Sequence, residues 1–350
     1  MIQFKKLTAG LLFSAILTLG LTGCGNPEVK KQESTPESVS TNTSAELAEL
    51  KIGVIGQDGD FNASLGNLAY DQQYFEEELN KVGYTFSFCT FSQGGPEINE
   101  ALASGAIDGA FYGDFPSFIS KSNGIDIRTI AALDSGVQYG ILVINDQIKE
   151  PKDLEGKKVI VTQGTAIQYF WEKYAVANDI DLSKVEIVNA ADPTPLLTNN
   201  EVDACVSVST TLAYFASLGM GNLLDSGVEI PDGYGTTVAV IRNAVLNDHP
   251  EVAVAINQAL IRAYEDAKEN PSLFYAAEET SLISAEIYET DHQFDPELLT
   301  LNPQIFSDHF DYYNALNAWL LDQHIITESV DVTSYIDGSF YEKAADIHAE

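Results

Sequence analysis

The chain has 350 residues, with 18 Lys+Arg against 52 Asp+Glu and a formal net charge of −34, yet 45% of it is hydrophobic. That apolar share suffices for a buried core and excludes global disorder, while the length suits one large domain or two ordinary ones. The acidity argues against a nucleic-acid binder, whose phosphate backbone the summed field would repel, and against a basic peripheral membrane protein.

Residues 1–23 read as a signal peptide. Lys5 and Lys6 precede an apolar run from Leu11 to Leu21, too short and too abruptly ended to span a membrane. The run closes with Leu21-Thr22-Gly23-Cys24, which resembles the lipobox of bacterial lipoproteins. The resemblance implies cleavage before Cys24 and acylation of its sulfur, which places the chain on the extracytoplasmic face of the cell membrane, held by an N-terminal lipid anchor. Cleavage would remove two lysines and no acid, leaving a charge of −36. Residues 24–48 are rich in Ser, Thr, Glu and Pro and read as a disordered tether.

Residues 51–55 form a short apolar strand, and 67–79 carry Leu68, Tyr74, Phe75 and Leu79 at helical spacing. Tyr84, Phe86 and Phe88 alternate with Thr85, Ser87 and Cys89, which predicts a strand over 84–91. A helix over 96–103 opens on Pro96 and stops at Gly105, the fixed φ at its start and the free φ beyond its end being typical helix signals. Strands at 107–112 and 127–133 bracket a helix at 116–122 that Gly124 stops. Strand alternating with helix predicts a mainly parallel sheet covered on both faces.

The pattern starts again at 139–144. Strands at 158–162, 185–188 and 204–208 alternate with helices at 166–177, 195–199 and 212–218, and a last strand follows at 237–241. From Pro250 the chain is helical, with Val252, Ile256, Leu260 and Ala263 on one face as far as Asn270-Pro271. The expected class is α/β, with two similar halves and a C-terminal helical segment. Cys89 and Cys205 lie in strand-like runs, either paired as a disulfide or standing as buried thiols.

Particular stretches carry a family likeness. Gly94 through Gly109, reading GGPEINEALASGAIDG, and the turn Gly113-Asp114-Phe115-Pro116 resemble the sulfonate/nitrate/taurine-type substrate-binding proteins of ABC importers. Asp153-Leu154-Glu155-Gly156-Lys157-Lys158-Val159 is similar to the step that opens the second lobe of those proteins, and Asn200-Glu201-Val202-Asp203-Ala204 echoes the earlier Ile107-Asp108. Thr236 to Arg242, followed by His249-Pro250-Glu251-Val252, resembles their return strand and the helix after it. The resemblance implies the two-lobe fold of type 2 periplasmic binding proteins. Residues 49–137 and 238–350 would form lobe 1 with the C-terminal helices, and 138–237 lobe 2. It also implies a monomer that needs no cofactor and hands a small-molecule ligand to an ABC permease and its ATPase. Two departures loosen the substrate. Residues 205–211 read CVSVSTT where relatives place an aromatic or charged residue, and Gln168 stands where they often place a bulky or basic one.

In doubly wound sheets the ligand crevice lies at the carboxyl ends of the strands, where loops lead into helix N-termini. Those loops here fall at 57–62, 113–114, 135–136, 163–166 and 207–210, and most are small, neutral and rich in hydroxyl, amide and N–H groups. The candidate ligand-binding residues are Gln57, Phe61, Asn62, Gly113, Asp114, Gly136, Thr165, Ala166, Ser209, Thr210 and Tyr234. Helix starts after Thr165 and after Thr210 would aim N–H donors and positive dipole ends at the cleft, suiting an oxyanion without an arginine. Thr165 and Thr210 read either as caps alone or as caps that also touch ligand. Gly113 reads as a tight turn or a contact, and Asp114 as the cap before Pro116 or a contact. Tyr139, Tyr169 and Tyr234 either pack or stack on ligand.

Enzyme chemistry finds little support. All five histidines, His249, His292, His309, His324 and His348, fall in the helical C-terminal part without a His-x-x-x-His pair, so no metal site is expected. No G-x-S-x-G elbow, Walker loop or G-x-G-x-x-G run follows a strand. The expected protein is a lipid-anchored binder rather than an enzyme, taking an aliphatic sulfonate or taurine. Nitrate, bicarbonate or a thiamine-type pyrimidine are the alternatives, and an extracytoplasmic enzyme on the same fold is the other class. A pyrimidine gains weight if Phe61, Tyr139 and Tyr234 wall the cleft. The acids fall mostly in the tether, on helix exteriors and in the C-terminal tail, leaving Asp58, Asp60 and Asp114 as the charges expected near the site.

Overall fold

Eleven strands among the described residues, which are 47–57, 59–190 and 192–349 of a computed structural model, sort into two mixed sheets. The expected signal peptide, Cys24, the tether up to residue 46 and Asp58 lie outside the described residues. The first sheet is built from β1 (Ala48–Gln57), β2 (Asp60–Asn62), β3 (Tyr84–Phe91), β4 (Gly109–Gly113) and β5 (Ile127–Val137). The second contains β6 (Tyr139–Val143), β7 (Lys158–Ile160), β8 (Glu186–Val188), β9 (Ala204–Val208) and β10 (Asn222–Asp225). The chain then returns to the first sheet as β11 (Gly235–Arg242). This is the two-lobe α/β fold, one lobe around each sheet.

The sense of the strands corrects the expectation of mainly parallel sheets. β3 and β4 run parallel to β1, but β11 inserts antiparallel between β4 and β5. In the second sheet β7, β8 and β9 are parallel, while β6 lies antiparallel on β9 and β10 antiparallel on β6. In each sheet the strand that receives the chain from the other lobe, β11 or β6, runs against the strand that sends it out, β5 or β10. The two crossings lie side by side: β5 ends at Val137, β6 begins at Tyr139, and Gly235 of β11 pairs with Val137.

Local rules explain most helices. The helix Pro250–Glu269 has proline at its start, where no N–H is needed, and buries Val252, Ile256, Leu260 and Ala263 in the core that also holds Leu50, Ile52 and Val54 of β1. Each such aliphatic side chain contributes about 1.5–3 kcal/mol by leaving water, and Leu260→Ala would cost about 2–5 kcal/mol. The expected helix over 67–79 is instead two, Leu65–Asp71 and Tyr74–Asn80, because Gln73 sits at φ 63° and breaks the hydrogen-bond ladder. In the second lobe Ile141, Val159, Phe170, Tyr174 and Val206 form a separate core.

Cys89 lies in β3 and Cys205 in β9, in different sheets and both as free thiols. Burial raises both, that of Cys205 to about 12. Among the described residues no helix is long and apolar enough to cross a membrane.

Candidate functional site

Between the two sheets lies a cleft of two adjoining chambers, about 670 and 430 Å³ in volume. Ile55, Gly113, Val137, Val208 and Thr237, from β1, β4, β5, β9 and β11, line both. Four of these lie at or near the carboxyl ends of their strands, where a doubly wound sheet places a ligand.

The larger chamber is walled mainly by apolar groups, among them Phe115, Pro116, Ile119, Tyr139 and Ile167. Its one acid is Asp114, the first residue of the helix Asp114–Ser122. Only 2% of Asp114 is exposed. Burial pushes the carboxyl up to about 7, outweighing the Tyr312 hydroxyl and the Phe115 and Thr236 amides, which favour the charged form.

The smaller chamber is acidic. Glu278 ends the helix Pro271–Glu278, Asp291 ends the helix Ala285–Asp291, and Asp134 enters from β5, with His292 beside them. Asn62 Nδ2 donates to Glu278 Oε2 at 3.1 Å and to the Tyr288 hydroxyl at 3.4 Å. Glu278 is 3% exposed, and its Oε1 has no partner. Burial, aided by the charge of Asp134, pushes the Glu278 carboxyl up to about 8. Burial also raises Asp134 to about 6, against the opposing charge of His292, while its Oδ1 accepts from the Gly136 N–H at 2.7 Å. Asp291 is raised by burial as well. His292 donates from Nδ1 to the Tyr288 carbonyl at 3.0 Å. Among the described residues no Lys or Arg lines either chamber. Nor do any three His, Cys, Asp or Glu side chains converge closely enough to hold a metal ion.

Seven of the eleven expected ligand residues line the chambers. Gly113, Asp114, Thr165 and Ala166 face the larger one, and Asn62, Gly113, Gly136 and Thr210 the smaller. Gln57 is exposed at the end of β1, and Phe61 packs on Phe88 and Tyr70 with ring centroids 4.8 and 5.8 Å away. Tyr234 stacks on Tyr312 at 5.1 Å, and Ser209 Oγ donates to the Gln138 carbonyl at 3.1 Å, tying a helix start to the crossing. Of Phe61, Tyr139 and Tyr234, Tyr139 alone lines a chamber. Thr165 is a working cap, its Oγ1 accepting from Ile167 N at 3.2 Å and donating to the Thr162 carbonyl at 2.6 Å. Thr210 is not a cap, because the helix already begins at Ser209. Asp60 accepts from Ser281 N at 2.9 Å, outside both chambers.

Asp134, Glu278, Asp291 and His292 were not among the expected residues. Asp134 had a signal, as the one acid closing the apolar run Ile130-Ala131-Ala132-Leu133. The other three fall in the helical tail, whose acids read as solvated surface. They reach the cleft because that tail folds back along it. The helix Ser307–Asp322 meets the second lobe as well, Trp319 Nε1 donating to Glu172 Oε2 at 2.7 Å, with Tyr169 edge-on to Trp319 at 5.1 Å.

A family model described as NMT1/THI5 like matches residues 69–273. Among solved structures, the periplasmic sulfonate-binding protein SsuA from Methylobacillus flagellatus KT superposes with a TM-score of 0.77 at 20% identity, covering 87% of this chain and 96% of that one. The alkanesulfonate-binding protein SsuA from Xanthomonas axonopodis pv. citri, bound to MOPS, gives 0.64 at 15% identity over 84% and 99%. The desulfurization enzyme DSZB gives 0.67 at 13% identity over 86% and 99%. Identities this low carry the fold alone. No curated protein sequence matches the chain.

Proposed function

Since the chain belongs to the NMT1/THI5-like family, we propose that it is the solute-binding component of an ABC importer, holding a small molecule in the interlobe cleft. The observation that carries this reading is the pair of adjoining chambers lined from both sheets, with the buried Glu278 Oε1 of the smaller one satisfied by no protein group. A buried acceptor without a partner costs about 1–3 kcal/mol, which a ligand donor would recover. Residues 49–137 with 238–350, and residues 138–237, act as the two closing bodies, hinged at 137–139 and 235–237. Closure presents both lobes to a permease whose ATPase drives uptake. The protein acts as a monomer without a cofactor, tethered outside the cytoplasm by acylated Cys24.

The sulfonate, taurine, nitrate and bicarbonate expectations lose their physical basis in this cleft. They rested on nearly neutral loops, whereas Asp114, Asp134, Glu278 and Asp291 line the chambers without a Lys or Arg to offset them. The pyrimidine alternative keeps only Tyr139 of its three aromatic walls. A binder rather than an enzyme is the reading we adopt: the hydroxyl of Thr165 is occupied as a cap, and neither Cys89 nor Cys205 lines the cleft.

Small-angle scattering of the full chain during a titration with a small-molecule panel tests the binding role. A saturable decrease in radius of gyration with at least one solute is expected. Constant dimensions and no bound solute across the panel would contradict it.

A further inference from the structure

The two chambers differ in chemistry, and the difference constrains what fits. Asp134, Glu278 and Asp291 face the smaller one, with His292 as the one side chain there able to carry positive charge. Three carboxyls alone would be an unremarkable acidic surface. Glu278, however, is 97% buried, Asn62 holds one of its oxygens, and the other, Oε1, is unpartnered in a residue that lines the chamber. Evolution of a merely structural site would satisfy that oxygen or replace the carboxyl, because an orphaned buried carboxyl is costly. The larger chamber supplies the complementary part, an apolar enclosure opening directly onto the acidic one through the shared Ile55, Val137 and Val208.

Resting on the binding-protein reading above, we infer that the solute is a small organic cation, an ammonium or amidinium whose N–H groups meet Glu278 Oε1 while its apolar body fills the larger chamber. An anion finds no Lys or Arg in either chamber to hold it, whereas Glu278 ionises only when a cation replaces its proton. A cation gains Coulomb energy there and supplies the missing donor. A metal ion fits less well, since among the described residues no three ligating side chains converge. Asn62 positions the carboxyl by holding Oε2, which leaves Oε1 as the oxygen without a protein partner.

The test is saturation-transfer NMR of the full chain with matched probes at millimolar concentration: benzylamine and benzamidine against benzyl alcohol, benzamide and benzenesulfonate. The cations are expected to bind saturably and to compete with each other, with the uncharged probes weaker by roughly tenfold or more and the sulfonate unbound. Glu278→Gln, nearly isosteric, should abolish cation binding, and Glu278→Asp should restore part of it. Thermal melts of both variants establish that they fold. Benzenesulfonate or the uncharged probes binding as well as the cations would overturn the cation inference and leave the binding-protein reading intact. Cation binding unchanged in Glu278→Gln would overturn the inference too. Binding of no probe overturns it as well, and the scattering panel then decides whether the binding-protein reading falls with it.

Discussion

Asn62 Nδ2 donates to Glu278 Oε2 at 3.1 Å, joining two residues 216 positions apart and leaving the second oxygen of Glu278 without a partner in a cleft chamber. Half of the carboxyl is thus held by the protein, and half is left for something else.

That geometry has a pH signature. Burial raises Glu278 from 4.5 in an unfolded chain to about 8, so the folded state keeps a proton that the unfolded state gives up in this window. Stability therefore falls as pH rises between about 4.5 and 8. Asp114 and Asp134 act in the same sense, with windows ending near 7 and 6. Glu278→Gln should remove the part of the slope above pH 7, making the variant more stable than the native protein at pH 8 by an amount on the order of a few kcal/mol. Urea titrations at pH 6, 7 and 8 measure this. An unchanged slope between pH 7 and 8 would count against a buried, protonated Glu278.

Thr165 spends both hydrogen-bonding capacities that its cap needs, accepting from Ile167 N and donating to the Thr162 carbonyl. Thr165→Ala should therefore lower stability by about 1 kcal/mol, with Thr165→Ser retaining most of it. Chemical denaturation midpoints of the two variants check the expectation, and equal midpoints for Ala and Ser would refute it.

Gly136 is required by contact rather than by backbone angle. A Cβ there would stand 2.5 Å from Thr300 Cγ2 and 2.8 Å from Thr300 Cβ, and the Thr300 amide is itself fixed by Asp295 Oδ2 at 2.7 Å. Gly136→Ala should cost about 1–3 kcal/mol. Pairing it with Thr300→Gly should recover part of that cost, a coupling that a double-mutant cycle reads directly.

Trp319 joins the C-terminal helices to the second lobe through its N–H to Glu172. Trp319→Phe keeps the ring and removes the donor, so the unliganded protein should open more readily. A larger radius of gyration in solution is the expected readout, and identical scattering from both proteins would mean that the contact does not hold the lobes together.

How much of this was legible in the sequence follows from range. The helix Ala166–Ala177 and the strand Ala204–Val208 have the ends that periodicity and caps predict, because those signals are local. The doubly wound rule likewise placed Gly113, Asp114, Gly136 and Thr165 at the cleft. What stayed hidden depends on distant partners. Strand sense is set by which crossover returns to which edge, so the antiparallel β11 left no compositional trace. The acids of the tail looked like any solvated helix face until the fold carried Glu278 to Asn62. Gln73, at a left-handed φ, broke a helix whose apolar spacing runs on unchanged.

The central claim is most directly tested by calorimetric titration of benzylamine into the full chain at pH 7, in two buffers of different ionisation heat. Asp134, Asp291, His292, Asn62 and Tyr288 surround the Glu278 carboxyl, and among them only His292 can oppose its protonation with positive charge. A cation seating on Glu278 must therefore displace its proton. Saturable binding with release of roughly one proton, lost in Glu278→Gln, is expected. Binding heats independent of buffer and of that substitution would contradict it.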